Sequence, residues 1–161
     1  MTMLLLRLGL ILGLAAATTP ALADDPSDMA ATAQTFAKAA PDSLTRRTLG
    51  QVAFPTYATA KFRSVRAFYI RQELVNDQVI FCGEVDAVVP TTNKRSGWTK
   101  FVYIPGDPTT LMTDTAGLGT REIGPQVRHH LCDSDQKWLS SDFTDDFQKL
   151  PKTMTAAAKA N

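Results

Sequence analysis

Residues 79–89 alternate more cleanly than any other stretch of the chain. Val79, Phe81, Gly83, Val85, Ala87 and Val89 fall on one side. Ile80, Cys82, Glu84, Asp86 and Val88 fall on the other. A period of two places such sets on opposite faces of a β-sheet. The first set suits a core. The second turns from apolar to acidic along the strand, so part of it must meet water or a partner. Residues 65–75 are rich in Val, Phe, Tyr, Ile and Leu and predict the preceding strand. Asn76-Asp77 between the two runs reads as a hairpin turn.

The period differs on either side of this pair. Residues 24–41 are polar and Ala-rich, and Ala30, Ala31, Ala33, Phe36, Ala37 and Ala39 predict a weak helix ended by Pro41. Asp42 or Ser43 would cap a second helix bearing Leu44, Leu49, Val52 and Ala53. Pro55 interrupts it, and residues 56–62 predict one more helical turn. Residues 90–97 read as a polar connection, 98–104 as a third strand, 109–113 as a short fourth and 114–125 as loop. From Ser134 onward, Trp138, Leu139, Phe143, Phe147 and Leu150 are spaced for one face of a helix. Residues 151–161 read as a fraying tail. The order predicts an α+β fold: a three- to four-stranded antiparallel sheet packed against N-terminal and C-terminal helices, in one domain over 42–150.

The first 23 residues set the compartment. Arg7, a short apolar run over 8–17, Pro20 and the ending Ala21-Leu22-Ala23 read as a secretory signal peptide cleaved before Asp24. The apolar run is shorter than the about 20 residues of a membrane span. The expected product has 138 residues and is periplasmic or secreted, without a membrane span. Cleavage removes one basic residue and no acid, leaving 16 basic against 16 acidic residues. That balance speaks against nucleic acid as a partner. The charges are unevenly placed. Arg46, Arg47, Lys61, Arg63, Arg66 and Arg71 follow one another without an acid, whereas Asp133, Asp135, Asp142, Asp145 and Asp146 crowd the C-terminal part. They read as two solvated faces that attract each other, or as a basic docking surface for an acidic partner.

From about residue 44 to 113 the chain resembles a family of small exported proteobacterial proteins of unassigned function. The resemblance rests on the run Thr56-Tyr57-Ala58-Thr59-Ala60-Lys61-Phe62-Arg63, on Phe81-Cys82-Gly83-Glu84-Val85-Asp86-Ala87, and on Gly97-Trp98-Thr99-Lys100-Phe101-Val102-Tyr103. Asp86 stands where the family's Cys-Gly-x-Val-Asn-Ala strand motif has Asn. The resemblance implies a fold and a compartment but no activity.

Cys82 and Cys132 are the only cysteines. In an exported chain two cysteines read first as one disulfide, with buried free thiols or a thiol nucleophile as alternatives. The bridge would close a loop of about 50 residues, for which chain entropy gives about 4 kcal/mol. Gly83 beside Cys82 marks a bulge or the close approach of another segment.

Glu84 and Asp86 share a sheet face, where paired carboxylates serve acid–base chemistry or, more commonly, form a solvated face paired with Arg66 or Lys100. Adjacent His129 and His130 diverge in any regular backbone and lack metal-ligand spacing, so no metal is expected. Gly117-Leu118-Gly119 lacks the strand–turn–helix setting of a phosphate loop, and no cofactor is implied. Trp98, Phe101, Tyr103 and Trp138 read as core and edge residues.

No catalytic set stands out. Arg63, Arg66, Glu84, Asp86 and Trp98 are the candidate interaction surface. The function expected is a noncatalytic binding or accessory protein of the bacterial envelope, acting on an envelope protein or a small ligand. The alternatives are an inhibitor or immunity protein against an envelope-acting enzyme, and a small hydrolase using Glu84, Asp86 or the His129/His130 region.

Overall fold

The computed structural model describes residues 26–48, 51–72, 75–106, 109–133 and 138–152. The expected signal peptide and residues 153–161 of the expected tail lie outside the described residues. The chain opens with helix α1 (Pro26–Thr45), followed by a small ladder of β1 (Arg47–Thr48) with β2 (Gln51–Val52) and a 3-10 turn over Tyr57–Thr59. Two 12-residue strands come next, β3 (Lys61–Gln72) and β4 (Val75–Asp86). A second small ladder joins β5 (Val88–Val89) to β6 (Lys94–Arg95). Then come β7 (Thr99–Ile104), β8 (Thr110–Thr113), β9 (Arg121–Glu122), the short helix α2 (Pro125–Arg128) and a π-helical turn over His129–Asp133. Strand β10 (Trp138–Asp142) and helix α3 (Thr144–Gln148) end the described chain.

The main sheet has six strands in the order β10-β3-β4-β7-β8-β9. The α+β reading holds, with a larger sheet than the three or four strands expected. The sheet is also mixed, because β9 runs parallel to β8. Two residues of β9 carry too little pattern to stand out from the Gly-rich stretch around them. Strand β10 is the other addition. Residues 138–150 were expected as one helix, but Trp138 and Leu139 pair with Phe68 and Ala67 of β3, and only residues 144–148 are helical. The helical spacing of Phe143 and Phe147 is real, since both are buried, while Leu150 is exposed.

Helix α1 runs through Pro41 rather than ending there. A proline inside a helix removes one backbone donor. The last turn is held nonetheless: Thr45 Oγ1 donates to Pro41 O at 2.8 Å, and Arg46 N donates to Asp42 O at 3.0 Å. One helix therefore crosses the position at which the Ala-rich segment was separated from the domain. Ala33, Ala37, Ala40 and Leu44 form its buried stripe. Asn76-Asp77 also differ from expectation. Gln72 faces Val75 across the β3–β4 hairpin, so both residues lie within β4.

Each sheet face has its own apolar cluster. The larger one joins the α1 stripe to Phe54, Tyr57, Phe62, Val79, Phe81, Val85, Phe101, Tyr103, Phe143 and Phe147, among others. Phe147 sits among the rings, with centroids 5.6 Å from Phe62, 5.4 Å from Phe81 and 5.5 Å from Tyr103. The Tyr57 hydroxyl donates to the Phe147 carbonyl. Burial pushes both core tyrosines up, Tyr103 to about 12 against the opposing hydrogen bond with Ser43, so both stay neutral. On the opposite face Phe68, Ile70, Ile80, Cys82, Val102, Ile123 and Cys132 form the smaller cluster.

The two faces depend on an irregularity in β3. Arg63 faces Glu84 and Arg66 faces Cys82, so Ser64 and Val65 together oppose Gly83. This is a β-bulge, and Ser64 within it has a positive φ of 53°. A Cβ at Gly83 would lie 3.0 Å from Phe101 Cε1, 3.1 Å from Val65 Cα and 3.2 Å from Arg63 O. Two of these are backbone atoms that cannot step aside. The close approach expected at Gly83 is thus observed. Gly83→Ala should cost about 1–3 kcal/mol, as overpacking does, read as a lower urea midpoint with an unchanged slope.

Asp146 joins α3 to α1. It accepts from Gln34 Nε2 at 2.8 Å and pairs with Lys149. Burial alone would raise its carboxyl, but the Lys149 and Gln34 hydrogen bonds outweigh that and hold it below its ordinary value of 3.8. A depressed carboxyl contributes stability above the ordinary value and loses it as pH falls through the depressed one. Asp146→Asn should therefore lower the melting temperature at neutral pH, by the equivalent of about 1 kcal/mol or less because Lys149 is solvated. The gap to the native protein should close as the pH is taken below 3.8.

Candidate functional site

Strand β4 leads to the site. On the second face its residues run Ile80, Cys82, Glu84, Asp86, and the covering segment reaches only the first two. That segment, residues 123–132, lays Ile123 and Cys132 over Ile80, Cys82 and Val102. Its end is fixed by the Cys82–Cys132 disulfide, with a Cα separation of 6.0 Å. Beyond Cys82 the face carries charges.

Register sets these charges in a row across the strands. Arg63 on β3 faces Glu84 on β4, and Glu84 faces Lys100 on β7. Asp114 continues the row beside Lys100, its N–H donating to Lys100 O at 3.2 Å. Arg128 reaches it from the end of α2. The signs alternate, and the partners are specific. Arg63 Nε donates to Glu84 Oε2 at 2.6 Å, and Arg128 Nη1 donates to Asp114 Oδ2 at 2.6 Å. The Arg63 guanidinium also lies 4.1 Å from the ring centroid of Trp98, which is 43% exposed. A cation over an indole face is a favourable contact, and here it fixes the ring at the rim of the face.

Of the candidate interaction residues the structure brings together Arg63, Glu84 and Trp98. Asp86 is on the same face but turns to β6, where Arg95 Nε donates to Asp86 Oδ2 at 2.9 Å. The expected partners of the two carboxylates, Arg66 and Lys100, are thus replaced by Arg63 and Arg95. The reasons are local. The bulge carries Arg63 into register with Glu84, and the tight β5–β6 ladder returns Arg95 to Asp86. Arg66 is exposed and sits in register between Cys82 and Asp142. Of the residues read as core and edge, Phe101 and Tyr103 are in the core and Trp98 is at the surface.

Between the disulfide and the charged row lies an open groove of about 290 Å³. Ser64, Gly83, Glu84, Lys100 and Arg128 line it together with both cysteines and Phe101. The bulge in β3 places Ser64 along it. His129 and His130 belong to the π-helical turn, where His130 is exposed. Among the described residues no three His, Cys, Asp or Glu side chains gather as a metal site. What the groove offers chemically is cationic N–H donors, one carboxylate already engaged by a guanidinium, and an apolar wall at the disulfide.

Sequence reasoning named Lys100 only as a partner for Glu84 and missed Ser64, Asp114 and Arg128. For Arg128 a signal existed. It stands four residues before Cys132, about one helical turn, so a bridge from Cys132 to Cys82 brings Arg128 to the neighbourhood of Glu84.

The disulfide should support the fold by holding the covering segment on the smaller cluster. Replacing both cysteines by Ala should lower stability by up to about 4 kcal/mol. Alkylation of unreduced protein should label neither cysteine, read by mass spectrometry. Two labelled thiols in native exported protein would show that the bridge does not form.

No family model, curated protein or solved structure matches this chain, so the meaning of the face rests on its own residues.

Proposed function

We propose that the protein is a noncatalytic binding or accessory protein of the bacterial envelope, periplasmic or secreted, and that the uncovered half of the second sheet face is its binding surface. Kinship with the small exported proteobacterial family is part of the same proposal. The observation that carries it is the exposed Trp98, held under the Arg63 guanidinium at the rim of a charged row and an open groove. Tryptophan and arginine are the residues that anchor interfaces, because each brings a large contact area with little conformational freedom left to lose once it is fixed. The disulfide suits an oxidising compartment. Among the described residues no helix is long and apolar enough to cross a membrane.

Glu84 and Asp86 support binding rather than acid–base chemistry. Each carboxylate is engaged by its own guanidinium, an arrangement that orders a surface and leaves neither oxygen pair facing a common reacting atom.

The test is chemical cross-linking of the exported protein in envelope extract, with Trp98→Ala, Arg63→Ala and the distant Lys38→Ala compared. A discrete cross-linked product should form with the native protein and Lys38→Ala. It should fall at least about tenfold with Trp98→Ala, the loss expected of an interface anchor. No product, or a product indifferent to both Trp98 and Arg63, would overturn the reading.

A further inference from the structure

The charges around the groove do not cancel. Arg63, Lys100 and Arg128 contribute three cations, whereas Glu84 and Asp114 contribute two carboxylates. Both carboxylates are taken, Glu84 by Arg63 and Asp114 by Arg128, each at 2.6 Å. Lys100 lies between them in register and is in no ion pair among the described residues. A second donor is also idle. Arg128 spends Nη1 on Asp114, but its Nε–H is buried with no acceptor among the described residues. A buried guanidinium N–H without an acceptor is costly, and an acceptor oxygen supplied from outside removes the cost. Lys100 and Arg128 line the same groove.

We propose that this groove is a binding site for a small organic monocarboxylate, with the acid's oxygens accepting from the Lys100 ammonium and Arg128 Nε–H. The proposal rests on the reading of this face as a binding surface and gives it a ligand class. Three features select that class. Lys100 is the one lining cation without a carboxylate partner among the described residues, and a monoanion balances it. Charge-assisted hydrogen bonds to a carboxylate are short and strong, and a planar carboxylate has an oxygen for each donor. The remaining wall is apolar, made by the Cys82–Cys132 bridge, so it suits a short hydrocarbon portion. The volume of about 290 Å³ decides between a free acid and a chain end. It lies at the lower limit of ordinary ligand pockets, about 300–1,000 Å³, and has room for a few heavy atoms rather than a run of peptide. Glu84 faces the groove as well, but its charge is neutralised by Arg63, so it repels an incoming acid little.

Titration of the isotope-labelled, oxidised protein followed by amide NMR tests this, with butyrate, butyramide, inorganic phosphate and a peptide ending in a free carboxylate as probes. Butyrate should give saturable shifts centred on Gly83, Glu84 and Lys100, and butyramide none. Lys100→Gln, at an exposed position that should fold normally, should weaken butyrate at least about tenfold, the loss of one charge-assisted contact. Arg128→Lys should weaken it similarly while keeping the charge, and Lys38→Gln should change nothing. Equal shifts with butyramide, or an unchanged affinity in Lys100→Gln, would overturn the site. Tighter binding of phosphate would overturn the carboxylate class, and tighter binding of the peptide would overturn the free-acid assignment. Absence of butyrate binding while envelope cross-linking still depends on Trp98 would remove this inference and leave the binding surface standing. Loss of both would remove both.

Discussion

Opposite Gly83, strand β3 carries one residue more than its partner, and the division of labour between the sheet's two faces follows from that. In a regular strand Phe62 and Val65 would point to opposite sides. The bulge at Ser64 and Val65 lets both enter the larger cluster. It also hands the following residues to their proper sides, with Ala67 toward α1 and Phe68 toward the disulfide. The condition is that nothing occupies the Cβ position at Gly83, where backbone atoms of β3 come within 3.2 Å. A single missing side chain thus sets which face of β3 is buried and where Arg63 meets Glu84.

The disulfide completes this arrangement from the other side. The larger cluster is held by interlocking rings and two helices and has no need of a covalent tie. Among the described residues the smaller one is covered by a segment of loop, one turn of helix and a π-helical turn, elements with little cohesion of their own. A bridge from Cys132 to mid-strand Cys82 compensates for that thin cover by restricting how far the segment can move away. It also fixes where the cover stops. Past Cys82 the same strand face presents Glu84 and Asp86, and no apolar cover could lie over them without burying charge at high cost. The edge of the covering segment and the start of the charged row are therefore one boundary, seen from packing and from electrostatics.

How much of this was legible in the chain depends on the range of the interactions involved. The alternation of β4 could be read because each residue's face is set by its own strand. The Cys82–Cys132 bridge could be read because only two cysteines are present. The importance of Gly83 could be read because glycine within a strand costs stability unless something approaches closely. The continuous α1 could not. Pro41 removes a donor, and what restores the last turn is the burial of Leu44 together with a Thr45 side-chain bond, the first of which is tertiary. Residues 138–142 failed for a similar reason. Trp138 and Leu139 fit a helical stripe that includes Phe143 and Phe147, and only the open edge of β3, unknown from local pattern, draws them into a strand. Two-residue β9 lies below the length at which periodicity carries information.

The ion pairs illustrate the same limit at the site. From spacing, Glu84 and Asp86 looked like a matched pair awaiting Arg66 or Lys100. The structure separates them, because a bulge shifts one arginine into place and a tight ladder folds back another. Neither event changes the composition of the face, yet together they decide which cation is left over. Had Lys100 taken Glu84, Arg63 would be the spare cation, already over the Trp98 ring and away from the groove wall. With Arg63 on Glu84, the spare charge instead falls on Lys100, beside the idle Arg128 N–H and the apolar bridge. A one-residue insertion in the backbone pattern of β3 is thereby coupled to the charge of a groove on the far side of the sheet, and the same glycine serves both.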